Sequence, residues 1–377
     1  MDIEEKFELI TKNVEEVLTS EDLRNLLQNN ENLNHYIGFE ISGKIHLGTG
    51  IMSMAKVKDL MDAGVNCSVF LADWHSWIND KLGGDRDMIK KVAVNYFKEG
   101  LKASLKCVGG NPDKLKFVLG SDLYHNNDGY WATMIDVAKN TTLGRMQRSI
   151  TIMGRKEGES VDFAKLLYPP MQVADIYFQK INLAHSGLDQ RKAHVIARDV
   201  AMKLKISPLL SKEKKQIKPV AIHHHLILGL HKPSVWPVPE DKIQELWSSM
   251  KMSKSIPDSA IFITDSPEEI KRKLLKAFCP EKEIKFNPVL DWAKYLVFNR
   301  TGSKLEIKRE KKFGGSVTYD SYESLEKSFL EGKLHPMDLK LAVAESLIKL
   351  LKPAREHFSQ PKIKKMKEDM ERLLITR

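Results

Sequence analysis

Two lysines and two hydroxyls in the run Lys251-Met252-Ser253-Lys254-Ser255 could grip a polyphosphate. Ammonium groups offset phosphate charge, and serine hydroxyls and loop N–H groups donate to phosphate oxygens. Lysine–serine clusters are common in solvated loops, so the run gains its meaning from a second element upstream. That element is Gly43-Lys44-Ile45-His46-Leu47-Gly48-Thr49-Gly50. His46 and Gly48 fall where a helix should begin, and free N–H groups and the helix dipole there favour an anion. Glycine at 48 lets a nucleotide come close to the backbone. Taken as a pair, the two segments point to a triphosphate site. A third segment, Tyr168-Pro169-Pro170-Met171-Gln172-Val173-Ala174-Asp175, puts Tyr168, Gln172 and Asp175 on one face of a helix starting near Pro169. Val173, Ile176, Tyr177 and Phe178 interleave that stripe, which favours a buried polar pocket over a solvated face. A further polar cluster, Gly187-Leu188-Asp189-Gln190-Arg191-Lys192-Ala193-His194, opens another helix.

The elements that must hold these side chains alternate strand and helix. Residues 36–42 read as a strand, followed by the glycine-bearing turn and an apolar-periodic helix through Met52, Ala55, Val57, Leu60 and Met61. Residues 67–73 and 117–121 read as further strands, with a helix over 87–105 between them. Continuous apolar strands separated by amphipathic helices predict an α/β fold with a parallel sheet covered on both faces. Ligands bind at the carboxyl ends of such strands, where Ser42, Asp73 and Ser121 are expected to sit. Thr19-Ser20-Glu21-Asp22 reads as a capped helix start before Leu23, Leu26 and Leu27. Residues 126–190 read as mostly helical. His223-His224-His225 lies among Val220, Ala221, Ile222, Leu226 and Ile227, so a buried strand is preferred to a metal site, because consecutive strand residues face opposite ways. Ser266-Pro267-Glu268-Glu269 is a helix start, with a serine cap and proline at the first position. It places a domain boundary near residue 260.

Composition sets outer limits. The 377 residues are 42% hydrophobic and 29% charged, enough for two or three globular domains. Cys67, Cys107 and Cys279 are widely spaced and suggest neither a disulfide framework nor a zinc site. The acidic start Met1-Asp2-Ile3-Glu4-Glu5-Lys6 has no apolar secretory core, no apolar run reaches membrane length, and a cytoplasmic location is expected. The net charge of +10 is compatible with a nucleic-acid partner.

The His-x-Gly turn paired with a distant Lys-Met-Ser-Lys-Ser loop resembles the class I aminoacyl-tRNA synthetases. Tyr36-Ile37-Gly38-Phe39-Glu40, Leu71-Ala72-Asp73-Trp74-His75, the block from Tyr168 to Asp175 and Leu334-His335-Pro336-Met337-Asp338-Leu339-Lys340 are similar to the archaeal/eukaryotic-type tyrosyl-tRNA synthetases. The resemblance runs over roughly residues 20–355. It implies a Rossmann-like catalytic domain over 1–260, with a helical insertion at about 125–190 and the signature loop at 251–255. A mainly helical anticodon-binding domain over 261–377 would follow.

By the same resemblance, tyrosine is held by Tyr36, Tyr168, Gln172, Asp175 and Gln190. Tyr36 and Asp175 would meet the phenolic hydroxyl; Tyr168, Gln172 and Gln190 would meet the amino end. ATP would contact Gly38, His46, Gly48, Lys251, Ser253 and Lys254, with His46, Gly48, Lys251 and Lys254 carrying catalysis. Magnesium would accompany the phosphates, and no structural metal is expected. Phe313, His335 and Asp338 would meet the anticodon of tRNA(Tyr). Packing for Phe313 and a helix cap for Asp338 are the plainer alternatives. Arg191 is assigned to the acceptor stem, with Arg145, Arg148 and Arg155 as further candidates. The family also implies a homodimer. In place of a second histidine often found in the first signature, this chain has Thr49. A tryptophanyl-tRNA synthetase is the sibling reading, disfavoured because Tyr36 with Asp175 suits a phenol better than an indole. A catalytically silent RNA-binding relative is disfavoured by the intact nucleotide residues.

Overall fold

Six strands build the central sheet: β1 (Val14–Leu18), β2 (Asn34–Phe39), β3 (Asn66–Leu71), β4 (Lys116–Leu119), β5 (Leu183–Gly187) and β6 (Val220–His224). The computed structural model describes residues 1–254, 256–299 and 302–375, without the side chains of Gln244, Glu245, Ser248, Phe313, Leu374 and Ile375. Strand order is β1-β6-β5-β2-β3-β4, with every neighbouring pair parallel except β1 with β6. The chain leaves β2 on one side for β3 and β4, then returns to β5 and β6 on the other. The switch point therefore lies between β2 and β5, where such sheets open a crevice for ligands.

Alternation along the strands divides the interior. Ile37, Leu183 and Ile222 join one apolar cluster with Val57 and Leu60, whereas Tyr36, Ala184 and Ala221 join another with Val173 and Ile196. The expected strands exist but end earlier, at Phe39, Leu71 and Leu119, so Ser42, Asp73 and Ser121 lie just past them. Asp73 opens the helix Asp73–Ile78, and its Oδ1 accepts from Ser121 N at 2.9 Å and Trp74 N at 3.0 Å. The polar groups thus stand at the carboxyl edge, on turns rather than strands.

Two expectations need correction. The helical stretch expected to 190 stops at Phe178, because β5 within it is a central strand. Its short run Leu183-Ala184-His185-Ser186-Gly187 carries too few apolar residues to announce a buried strand. Strand β1 was unforeseen: Val14-Glu15-Glu16-Val17-Leu18 is a polar edge strand, held antiparallel by β6.

The helix Ser20–Gln28 is capped as expected, with Thr19 Oγ1 accepting from Asp22 N at 3.2 Å. Ser266 Oγ likewise accepts from Glu269 N at 3.2 Å to start the helix Pro267–Lys276. Residues beyond 260 are mainly helical, with one hairpin of β7 (Leu305–Ile307) and β8 (Val317–Tyr319). Leu274, Leu347 and Phe358 belong to the same apolar cluster as Ile37, so this part shares a core with the sheet.

A charged joint reinforces that union. His225 is nearly buried, stacks on Tyr295 at 4.0 Å, and bonds Asp291 at 2.7 Å and Glu15 at 2.8 Å. Burial opposes its charged form, but the two carboxylates outweigh burial and raise it to about 9. Because the folded value lies above the 6.5 of an ordinary imidazole, the share carried by His225 is complete below that pH and is lost as pH rises towards 9. Glu15 is lowered to about 2, chiefly by its bond to His225, so its share is lost as pH falls from 4.5 towards 2. Melting temperature should therefore decline between pH 6.5 and 9 in the parent protein. The decline should be shallower in His225→Gln; parallel curves would refute the assignment.

Candidate active site

The sheet opens a cavity of about 510 Å³ at the switch point, lined from the carboxyl ends of β2, β5 and β6. One end is aromatic and closed. Tyr36 projects from β2, and Asp175 comes from the helix Tyr168–Phe178, both essentially buried. Asp175 Oδ1 accepts from Tyr124 Oη at 3.0 Å and Tyr130 Oη at 3.1 Å, while Oδ2 lies 3.7 Å from His75 Nε2. Burial pushes the Asp175 carboxyl upward against the pull of the two hydroxyls. Burial holds His75 down at about 3, so its ring is neutral. Burial, then the Asp175 charge, raises the Tyr36 phenol. The result is a buried floor that presents a carboxyl oxygen and a phenol hydroxyl.

The expected helix does place Tyr168, Gln172 and Asp175 on one cavity face. The prolines at 169 and 170 fall in its first turn, where missing N–H groups are harmless. Gln172 Nε2 donates to Gln190 Oε1 at 3.3 Å, and Gln190 Nε2 donates to Ile152 O at 2.8 Å. All three residues of this chain line the cavity. Tyr168 stacks edge-on against His75 at 4.5 Å.

The open end carries the residues expected to meet the nucleotide. His46 Nδ1 accepts from Gly48 N at 3.1 Å and Thr49 N at 3.3 Å, so the imidazole itself caps the helical turn Gly48–Met52. The N–H groups expected to stand free for an anion therefore meet His46 first. Burial and the ammoniums of Lys254 and Lys251 lower His46 to about 3, which keeps Nδ1 an acceptor. Thr49 Oγ1 lies 3.3 Å from His46 Nε2, so it braces the ring that a second histidine would have accompanied. Gly38 is exposed to the cavity, and a Cβ there would meet only Tyr36 and Phe70, at 3.7 and 3.8 Å. Its missing side chain therefore leaves room that the protein does not fill.

Both lysines of the downstream loop reach the cavity. Lys251 Nζ pairs with Asp189 Oδ2 at 2.8 Å, and Lys254 Nζ donates to Ser42 Oγ at 2.6 Å. Ser253 lines the same wall; Ser255 lies outside the described residues. The loop is pinned at both ends. Gly229 N donates to Met250 O at 2.7 Å and Met252 N to Ile227 O at 3.0 Å. Past the loop, Leu47 N donates to Ile261 O and Ile263 N to Ile45 O, each at 3.0 Å. The two segments expected to meet phosphate, some two hundred residues apart in sequence, are thus tied together through Ile261 and Ile263.

Nothing in the sequence assigns a role at the cavity to Tyr124, Tyr130, His75 or Asp189, whereas Ser42 lies at the carboxyl edge where it is expected. Tyr124 and Tyr130 lie on the separate helices Gly120–Tyr124 and Asp128–Lys139, so no single periodicity marks them as a pair. Asp189 stood visibly in the polar cluster before Arg191 and could have been paired with a lysine by charge.

Other expected residues lie away from the cavity. Arg191 Nε donates to both oxygens of Glu16 at 2.8 Å on β1, while Arg145 pairs with Asp199 and Arg155 with Asp80 and Glu159. His335, not Asp338, caps the helix Pro336–Leu350, its Nδ1 accepting from Met337 N at 3.1 Å. Asp338 sits in the first turn, which corrects the plainer alternative for it. The Phe313 side chain lies outside the described residues. Arg309 joins the turn that carries it to the approach to His335, donating to Gly315 O at 2.7 Å and Lys333 O at 3.1 Å. The three histidines 223–225 are buried on alternating faces, as expected of a strand and its end, and no cluster of metal-binding side chains occurs among the described residues.

Comparison with known proteins fits this geometry. The family model described as tRNA synthetases class I (W and Y) matches residues 28–352. A tyrosine–tRNA ligase of Thermococcus kodakarensis is 62% identical over 96% of both chains, and one of Pyrococcus abyssi is 59% identical over the same share. The crystal structure of tyrosyl-tRNA synthetase from Pyrococcus horikoshii, complexed with L-tyrosine, superposes with a TM-score of 0.95 at 55% identity. It covers 98% of this chain and 100% of that one. A cavity with a carboxyl floor and a lysine-bearing rim, on a sheet that matches so fully, leaves one conclusion: the chain belongs to the class I tRNA synthetases of the tryptophan and tyrosine type.

Proposed function

We propose that this protein is a tyrosine–tRNA ligase, which activates L-tyrosine with ATP and transfers it to the terminal adenosine of tRNA(Tyr). The observation that carries the reading is the single cavity joining the Tyr36–Asp175 floor to the His46, Lys251 and Lys254 rim. A phenol can donate to a carboxyl oxygen and accept from a tyrosine hydroxyl, whereas an indole offers only a donor. Gln172, Gln190 and Tyr168 then stand where the amino end of a bound tyrosine would lie, and its carboxylate would face the rim.

In this reading the carboxylate attacks the α-phosphorus of ATP, tyrosyl-adenylate forms and pyrophosphate leaves. The ribose hydroxyl of the tRNA terminus then attacks the acyl carbon and AMP departs. No protein nucleophile is needed, so positioning and charge carry the rate. Lys251 and Lys254 leave Asp189 and Ser42 to meet the phosphates, Ser253 adds a hydroxyl, and Gly38, His46 and Gly48 cradle the nucleotide. Magnesium would ride on the phosphate oxygens; the nearby carboxylates Asp189 and Glu40 already face Lys251 and Lys81.

Residues 1–260 would form the catalytic domain and 261–377 the anticodon-binding one. There Phe313, His335 and Asp338 would meet the anticodon, supported by the Arg309 link between their two segments. Arg191 reaching the acceptor stem would require it to leave Glu16. A homodimer and a cytoplasmic location complete the reading; no helix of the described residues is long and apolar enough to cross a membrane.

Exchange of labelled pyrophosphate into ATP, run separately with tyrosine and tryptophan, tests it. Exchange with tyrosine alone is expected. Exchange with tryptophan alone, or with neither, defeats it.

A further inference from the structure

Residues 227–230, just past β6, bond in two directions. Ile227 O accepts from Met252 N at 3.0 Å and Gly229 N donates to Met250 O at 2.7 Å, with Leu228 and Lys251 paired in an antiparallel bridge between them. Those contacts hold the lysine loop. The peptide groups in between turn the other way. Leu228 N donates to Asp291 Oδ2 at 2.9 Å, and Leu228 O accepts from Trp292 Nε1 at 2.7 Å. Leu230 O accepts from Phe278 N at 2.8 Å, a further bond to the part beyond residue 260. One stretch of backbone therefore carries the loop and rests on the helix Pro288–Trp292.

That helix is a firm support. Trp292 is fully buried, and Ile227 and Leu228 are nearly so. Asp291 gives Oδ2 to Leu228 N and Oδ1 to His225 Nε2 at 2.7 Å, so both oxygens are engaged and the carboxylate cannot turn without losing a bond. A buried N–H without its acceptor is costly, so the Leu228 backbone stays where Asp291 holds it. Gly229 then brings the loop close: a Cβ there would stand 3.3 Å from Lys251 O and 2.8 Å from two atoms of the His231 ring. Close-packed groups pass a displacement on, so a shift of residues 227–230 reaches Lys251.

We propose that Asp291 and Trp292 are positioning residues for adenylate formation: acting through the Leu228 peptide groups, they set where the loop presents the Lys251 ammonium. Neither side chain lines the cavity, so neither meets substrate. The part beyond residue 260 thus has a share in the chemistry of a cavity that, among the described residues, it does not line. The proposal rests on the adenylate-forming function above.

Single-turnover adenylate formation with saturating tyrosine and ATP tests it. Asp291→Asn offers one acceptor and one donor in place of two acceptors. It should slow the step about 10-fold while tyrosine affinity stays within about two-fold. In a Lys251→Ala background the same substitution should cost less than about two-fold, because its route to the phosphates has gone. Trp292→Phe, which keeps a buried aromatic ring and loses the bond to Leu228 O, should show the same pattern at about three-fold. Equal losses in both backgrounds, an unchanged rate in both single variants, or a loss of tyrosine affinity as large as the loss of rate would overturn the proposal. Hydrogen exchange over residues 249–254 supplies a reading that needs no activity. It should quicken in Asp291→Asn while exchange over β2 keeps the parent's rate, and an unchanged or uniform response would reject the link. Absence of adenylate formation with tyrosine in the parent would instead defeat the functional reading, while hydrogen exchange still judges the link.

Discussion

Replacing Lys254 by alanine should slow adenylate formation by about 100-fold to 1,000-fold while leaving tyrosine affinity within about two-fold of the parent. The ammonium donates to Ser42 Oγ and lies 5.8 Å from the centre of the Phe97 ring, and neither residue belongs to the Tyr36–Asp175 floor. Its charge gains most where negative charge gathers on departing pyrophosphate, so its effect belongs to the transition state. Burial, then the Lys81 charge, lowers Lys254 to about 7 in the free protein. The cationic form is therefore lost as pH rises past neutrality, before nucleotide arrives to favour it. For the parent, kcat/KM for ATP should fall above about pH 7, and that limb should vanish in the variant. Single-turnover kinetics with equilibrium tyrosine binding separates the two terms. A variant that loses tyrosine affinity as much as rate would contradict the assignment.

Asparagine at 175 is expected to lower kcat/KM for tyrosine by about 100-fold and for phenylalanine far less, so that much of the preference between them collapses. The amide oxygen can still accept from Tyr124 and Tyr130, which hold Oδ1 at 3.0 and 3.1 Å. The amide nitrogen would then take the place of Oδ2, and the phenol would face a donor where it needs an acceptor. Tyr130→Phe removes one of the two restraints on the carboxyl and should cost less, about five-fold. Exchange assays with both amino acids measure each ratio. An Asp175→Asn protein that keeps its tyrosine preference would remove Asp175 from the floor.

The sequence made the residues of the cavity's open rim legible because they are local. His46 with Gly48, and Lys251 with Lys254, each sit within one turn or loop. The helix face of Tyr168, Gln172 and Asp175 was legible through its spacing of four and three. What supports Asp175 was not, since Tyr124 and Tyr130 come from separate helices and meet it only through packing. Strand β1 was hidden because an edge strand with Glu15 and Glu16 lacks apolar alternation; its place depends on His223, His225 and Arg191, all distant in sequence. Strand β5 was read as part of a helical stretch because His185 and Ser186 interrupt its apolar character, and the bonds of His185 to His35 and His224 form only after the sheet assembles. The cap at Ser266 was readable to the residue and the one at Thr19 to within its four-residue run, since capping is decided within three positions.

The bonds that pin the lysine loop at Met250 and Met252 on one side and at Ile261 and Ile263 on the other also make it a doubly tethered arm. A tether this short keeps its charges near the reaction at an effective concentration of about millimolar or above, with no affinity of their own required. Loop-closure entropy grows only with the logarithm of length, about 0.6 kcal/mol per doubling, so modest insertions between the anchors are tolerable. Cutting either anchor is a different event, because it turns an intramolecular encounter into a search by a free end. Evolution can therefore alter what the arm carries, and even how long it is, more freely than where it is fastened.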